Sequence, residues 1–207
     1  MSDTPVEAPV EPQIVERIEI TKVREAFPDA LLKVKEYRGD TFLCVSKEAL
    51  PDIAALLKTD PDLEYTYFCE CVGVDYSRWD HERDLDGRFE VVYNLRSLKH
   101  HSRIFLKVSV NDGETVPTLK HLYLGAEYPE REVNDLFGVI FAGNEQVGRF
   151  LLPDDWVGHP LRKEYPLGGD DVRFDGGDTG PAVEDMMMPH AGESFHGRTG
   201  SEGVSGR

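Results

Sequence analysis

The sequence predicts an α+β fold: a single domain with a mostly antiparallel or mixed sheet flanked by helices, followed by an extended C-terminal strap and tail. Three observations carry this. Helical and strand patterns alternate in the order αββαβββαα with hairpin-length connections, which favours pairing of neighbours over a doubly wound parallel sheet. Neither GxGxxG after a strand nor GxxxxGK[ST] occurs, so direct NAD or ATP binding has no support. Composition also shifts at both ends. Residues 1–12 carry Pro5, Pro9 and Pro12 and no Lys or Arg, and read as a disordered arm. Residues 168–207 hold ten of the 19 glycines, with Phe174 and Phe195 as their only aromatics, and read as a Gly-rich acidic tail that orders only against neighbours. Between them lie an α+β domain at 13–142 and an extended partner-docking strap at 143–167.

The elements follow in order. Ile14, Val15, Ile18, Val23, Ala26 and Phe27 recur at helical spacing until Pro28 ends the run. Ala30–Tyr37 and Thr41–Ser46 form a hairpin around Arg38-Gly39-Asp40, where Gly39 supplies a positive φ. Pro51 opens a helix to Lys58 with Ile53, Ala54, Leu56 and Leu57 as its apolar positions. Three strands then run Glu64–Val74, Arg88–Arg96 and Ser102–Val110, rich in Val, Phe, Tyr and Ile. Thr115, just ahead of Pro117, caps an expected helix to Leu124, and a second runs from about Pro129 to Phe137.

Charge narrows the function. With 39 Asp+Glu against 23 Lys+Arg over 207 residues, the net charge is −16, which opposes binding to nucleic acid or to an anionic membrane surface. No run approaches the ~20 apolar residues of a membrane span, and the N-terminus lacks the basic and apolar regions of a secretory signal. Three cysteines leave one over in any disulfide scheme, so a reducing, cytosolic setting is expected.

Candidate chemistry is sparse. Cys69-Glu70-Cys71 puts two thiols on one strand face, but Cys44 is the only other cysteine, so a thiolate cluster is incomplete; two small residues on the core face are the favoured reading. His81, His100, His101, His121 and His159 form no HExxH or i, i+4 pair, and no metal site is expected. Asp75, Asp80, Glu82, Asp84 and Asp86 lack calcium-loop spacing and read as a solvated loop.

Two segments stand apart. In Glu130-Arg131-Glu132-Val133-Asn134-Asp135-Leu136-Phe137-Gly138, Arg131 and Asp135 are i, i+4 neighbours, and Val133, Leu136 and Phe137 take the apolar side. Glu130 and Glu132 suit the positive end of the helix dipole, and Gly138 supplies the left-handed stop. In residues 151–167, Pro153, Pro160 and Pro166 force an extended course that leaves backbone groups unpaired. Trp156, Leu161 and Tyr165 beside Arg162 and Lys163 give that strap the composition of an interface.

Here the chain resembles a known family: the 30 kDa subunit, or C-subunit, of proton-pumping NADH:quinone oxidoreductase (respiratory complex I). The resemblance rests on ERExxDLFGVxF at 130–141 and LLPDDWxGHPLRKEYPL at 151–167, with weaker agreement at Gly73-Val74-Asp75-Tyr76, Arg88–Tyr93 and Val116–Leu119. Between the two motifs, family members carry a stretch like GHPDLRRIL where this chain has 143–151. The resemblance implies a non-catalytic scaffold in the peripheral arm, on the cytoplasmic face of the bacterial inner membrane, touching the membrane only through the assembled complex. No cofactor is implied in this chain; FMN and iron-sulfur clusters would sit in partner subunits, and electrons would pass from NADH through them to quinone. The implied partners are the large quinone-site subunit (49 kDa type) and neighbouring iron-sulfur subunits. Partner-docking residues are expected to be Glu130, Arg131, Glu132, Asp135, Trp156, His159, Arg162, Lys163 and Tyr165, with Arg131 and Arg162 making ion pairs to the partner. Two alternatives remain: the equivalent subunit of an F420H2- or ferredoxin-linked dehydrogenase or membrane-bound hydrogenase, and a free-standing metal enzyme using Cys69 and Cys71.

Overall fold

The computed structural model describes residues 17–144 and 148–165. The arm at 1–12 and the tail at 168–207 lie outside these residues, as do Ile14 and Val15 of the first helical run. The elements are α1 (Ile18–Ala26), β1 (Leu31–Tyr37), β2 (Asp40–Val45), α2 (Leu50–Thr59), β3 (Tyr67–Asp75), β4 (Phe89–Ser97), β5 (Ser102–Val110), β6 (Thr115–Pro117), a 3-10 turn at Leu124–Ala126, α3 (Glu127–Phe137) and β7 (Ile140–Ala142). The main sheet has the order β1-β2-β5-β4-β3, with β2 and β5 parallel and the other pairs antiparallel. The fold is therefore α+β with a mixed sheet, as the pattern of elements predicts.

The core lies on one face of this sheet. Alternation along β4 and β5 buries Val91, Tyr93, Leu95, Ile104, Leu106 and Val108 completely, and these pack in one cluster with Ile20 and Val23 of α1 and with Ile53, Ala54 and Leu57 of α2. At roughly 1.5–3 kcal/mol per fully buried large apolar side chain, this cluster dominates the stabilisation of the domain. α3 lies over β3, where Gly73 permits close approach: a Cβ there would stand 2.8 Å from the Phe137 ring and 2.9 Å from Val133. Among the described residues, no helix is long and apolar enough to cross a membrane.

Four local expectations are corrected. The helix expected from Thr115 to Leu124 is instead β6, a turn at 120–122 and the 3-10 turn. Pro117 pushes Val116 to an extended backbone, and Val116 then pairs with Phe141 of β7, a strand the sequence pattern does not reveal. α3 begins at Glu127, ahead of Pro129, because a proline in the first turn forfeits an N–H that has no intrahelical acceptor anyway. β3 starts at Tyr67, not Glu64, since Glu64 has φ +46° and cannot continue a strand. Finally, Cys71 is buried but Cys69 is exposed. The β3–β4 register slips between Phe68 and Glu70, and that bulge reverses which side chains face inward.

Candidate partner-docking site

The strap is anchored to its own domain at two points. The first is Asp135, on α3 and 2% exposed. One carboxylate oxygen accepts the successive backbone N–H groups of Phe150 (3.2 Å), Leu151 (2.7 Å) and Leu152 (2.9 Å), and the other accepts Arg149 at 3.0 Å. Burial pushes this carboxyl up, but those hydrogen bonds outweigh it and hold it below the usual carboxylate range. Arg149 spends its other terminal nitrogen on the carbonyls of Trp156 (2.9 Å) and Gly158 (3.0 Å), which folds the strap back on itself. His159 Nδ1 donates to the Asp135 carbonyl at 2.8 Å.

The second anchor lies where α3 ends. Gly138 takes φ +77° and closes the helix as the motif predicts. Over it, Arg162 Nε donates to the Phe137 carbonyl (2.7 Å), and its two terminal nitrogens grip Asp112 bidentately (3.0 and 2.8 Å). Leu161 N donates to the Leu136 carbonyl at 3.1 Å. Buried Asp75, at the end of β3, accepts Lys163 N and Ser77 N (both 2.9 Å) and Arg88 (3.3 Å), and Arg88 also binds Glu164. Desolvation raises the Asp75 carboxyl, but these donors lower it further, so it stays ionised. The strap is thus not the extended run of unpaired backbone groups expected from its prolines. Local turns close at Trp156, Arg162 and Tyr165 through hydrogen bonds to Pro153, His159 and Arg162.

The predicted docking residues divide accordingly. Glu130 is fully buried and faces inward, accepting Leu119 N (2.8 Å), Asn144 Nδ2 (2.9 Å), Tyr93 Oη (3.1 Å) and the Thr118 hydroxyl. It shares the 130, 133, 137 stripe with Val133 and Phe137, a helical spacing visible in the sequence that outweighs its charge. Asp135, His159 and Arg162 are likewise engaged within the chain, and each of the three guanidinium nitrogens of Arg162, expected to pair with the partner, already makes a hydrogen bond there. Glu132 and Lys163 are exposed. Trp156 stacks on Tyr165 with ring centroids 6.4 Å apart, and its indole Nε1 is buried without an acceptor among the described residues.

Arg131 is the exception on α3. It does not pair with Asp135; its guanidinium lies 6.0 Å from the Tyr128 ring centre and 5.4 Å from that of Phe150, two rings stacked at 5.5 Å. Its Nε is sealed from water with no hydrogen-bond partner among the described residues. Beside it opens a cavity of about 510 Å³ lined by Arg131, Asn134, Asp135, Arg149, Phe150 and Asp154. A guanidinium held by aromatic rings at the mouth of a cavity is prepared for a planar carboxylate.

Arg149, Asp75, Arg88 and Asp112 carry the clasp although the sequence pattern does not assign them to the site, and Asp75 departs from the solvated loop expected of it. Asp84, from the same loop, also turns inward, with salt bridges to Lys33 (2.9 Å), Lys35 (3.1 Å) and Lys107 (3.5 Å). Among the described residues, no group of three or more His, Cys, Asp or Glu is arranged to hold a metal ion.

Comparisons with known proteins point one way. A family model described as the respiratory-chain NADH dehydrogenase 30 Kd subunit matches residues 43–171. The NADH-quinone oxidoreductase C-subunit of Roseiflexus sp. (strain RS-1) is 44% identical over 156 residues, covering 75% of this chain and 86% of that protein. The protein of the same name from Mycobacterium avium (strain 104) is 40% identical over 159 residues, covering 76% and 66%. Among solved structures, a trypsin-resistant fragment (1-134) of Nqo5 superposes with TM-score 0.55 at 28% identity, covering 63% of this chain and all of that one. A chain of the archaeal membrane-bound sulfane sulfur reductase, a respiratory membrane complex, gives TM-score 0.57 at 26% identity, covering 72% and 84%.

Proposed function

Because the chain belongs to the respiratory-chain NADH dehydrogenase 30 kDa subunit family, we propose that it is a non-catalytic scaffold subunit in the peripheral arm of a proton-translocating NADH:quinone oxidoreductase. In this reading it holds the large quinone-site subunit and adjoins iron-sulfur subunits on the cytoplasmic face of the membrane. FMN, clusters and the passage of electrons from NADH to quinone belong to those partners. The observation that carries the docking role is Arg131: a cation whose sealed Nε has no acceptor among the described residues, beside an open cavity and next to a buried Asp135 that is paired within the chain. An unsatisfied buried donor costs about 1–3 kcal/mol or more, and a carboxylate from a docked subunit, meeting the terminal nitrogens from the cavity, offsets part of that cost.

Trp156 Nε1, also buried and without an acceptor among the described residues, adds a second waiting donor in the strap. Glu132, Lys163 and Tyr165 then form the surround of the contact, while Glu130, Asp135, His159 and Arg162 support it from beneath.

The test is Arg131→Ala in the native complex. Losing one partner of a buried interfacial pair costs about 2–5 kcal/mol, so recovery of this chain in the assembled complex should fall by more than tenfold while the isolated chain keeps its melting temperature. Normal assembly with lost quinone turnover would place Arg131 close to chemistry instead, and normal assembly with normal turnover would remove the docking role. The likeness to a chain of the sulfane sulfur reductase keeps a related complex with another electron donor as a second reading. The partners that co-purify with the native chain separate the two: flavin and NADH-binding subunits support the first.

A further inference from the structure

The end of the sheet remote from the strap carries a second cluster of cations. β2 and β5 are parallel, with Thr41 opposite Ile104, so the β1–β2 turn at Arg38-Gly39 and the β4–β5 turn at Lys99–His101 lie at the same end. Arg17 reaches over from the start of α1, donating to Thr41 Oγ1 at 2.7 Å and to the Arg103 carbonyl at 3.4 Å. Together Arg17, Asp40, Arg96, His101, Ser102 and Arg103 line a cavity of about 590 Å³. The strap grips Arg88, just before β4, whereas Arg96 lies near the other end of that strand. At about 3.3 Å per residue the two regions are roughly 25 Å apart.

The strand register explains what this end presents. Tyr67 pairs with Arg96, and Arg96 pairs with Arg103, so all three project from the same face of three neighbouring strands. That face is the one turned away from the core, because Leu95 and Ile104, the next residues, are fully buried. Arg103 is matched by Asp40 (Nε to Oδ1, 3.0 Å) and Arg17 by Glu19 (2.8 Å). Arg96 is exposed and has no carboxylate partner among the described residues, although a like charge stands directly across from it. Two guanidinium groups facing each other on adjacent strands disfavour the sheet in isolation. Tyr67 beside them is 52% exposed. An exposed Tyr next to an unmatched Arg, on a chain of net charge −16, gives this end both an apolar anchor and the opposite sign to the rest of the molecule.

We infer that Tyr67, Arg96 and Arg103 form a second docking surface, which receives a carboxylate-bearing segment of another polypeptide of the complex. The donors are spread along a strand row and do not converge on one point as in a backbone-lined phosphate nest, and a chain with spaced Asp or Glu side chains matches that spread. An incoming carboxylate takes the free fork of Arg96 while the segment covers the Tyr67 ring. The subunit thereby bridges two neighbours, one at each end of its sheet; this rests on the scaffold reading above.

Two variants of Arg96 in the native complex test this. Arg96→Glu should lower recovery of the chain in the assembled complex several-fold at low salt, with the loss shrinking as ionic strength rises and weakens the wild-type contact too. The isolated variant should melt no lower than the wild type, since Arg96 makes no ion pair within the described chain and the change removes the like charge facing Arg103. Arg96→Lys supplies an amine for zero-length carbodiimide coupling, and mass spectrometry should find it joined to an Asp or Glu of a different polypeptide. Wild-type recovery of Arg96→Glu at every salt concentration overturns the proposal. So does coupling confined to acids of this chain, such as Asp40 or those of residues 1–16. If these fail while Arg131→Ala still blocks assembly, the strap reading stands and the second surface falls alone.

Discussion

Asp135 is bound by Arg149, 14 residues further along the chain at 3.0 Å, and not by Arg131, one helical turn before it on the same helix. The consequence is a division of labour between two arginines. Arg149 closes the strap onto α3, and Arg131 is left with its guanidinium over aromatic rings and its Nε unmatched among the described residues. An i, i+4 pair on a helix surface is worth only about 0.2–0.5 kcal/mol, whereas a buried carboxylate meeting three backbone N–H groups and a guanidinium gains far more.

Asp135→Ala should release the strap. It strands three amides and leaves Arg149 without its carboxylate, and breaking a buried charged pair of this kind costs about 3–5 kcal/mol. Hydrogen exchange is the direct measurement: the amides of Phe150, Leu151 and Leu152 should lose protection, while those of β4 and β5 keep theirs. Unchanged protection at 150–152 would show that the strap is held by other contacts.

Gly138→Ala should weaken the second anchor. The φ of +77° is strained for any residue with a side chain, and the new Cβ would stand 2.5 Å from an Arg162 nitrogen and 2.6 Å from His159 Nε2. A loss of about 1–2 kcal/mol from the left-handed backbone alone is expected, read as a lower denaturant midpoint with unchanged slope. Faster exchange of the Leu161 amide should accompany it, because that amide is bonded to Leu136 just before the glycine.

The loop between β3 and β4 should show an acid-sensitive contribution centred on Asp84. Burial raises its carboxyl, but Lys33, Lys35 and Lys107 outweigh this and bring it from 3.8 down to about 2. A depressed carboxylate stabilises the folded state fully above its unfolded value near 4, and that contribution disappears as pH falls through about 2. It amounts to about 2 kcal/mol. NMR titration of the Asp84 side chain should give a midpoint near 2, and Lys35→Met should move it upward. A midpoint near 4 in the wild type would mean that the lysines do not act on it.

Much of the fold is legible in the residues themselves. The alternation of Val91, Tyr93 and Leu95 with Asn94 and Arg96, broken only by the apolar Val92, assigns each face of β4 from the sequence alone. Gly39 and Gly138 mark left-handed positions that few other residues tolerate, and the structure gives them φ +86° and +77°. The two long motifs identify the family because each combines a local stop, a charge pattern and fixed spacing over a dozen or more residues. These are local signals, and period, turn chemistry and motif spacing are written in consecutive residues.

What the chain's linear order leaves open is which charges meet. Glu130 reads as a dipole-compensating surface acid, yet its stripe carries it under α3 to the donors of Thr118, Leu119 and Asn144. A bulge in β3 sends Cys69 outward and Cys71 inward, against the period of two that their spacing suggests. Asp75 accepts the backbone N–H of Lys163 across 88 residues, and Arg162 meets Asp112 across 50. Such pairs depend on the sheet order β1-β2-β5-β4-β3 and on where the strap lands, so their energies come from proximity in space. One sequence, read alone, records every ionisable group but not the distances between them, and distance decides whether a charge is solvated, paired or left waiting for a partner.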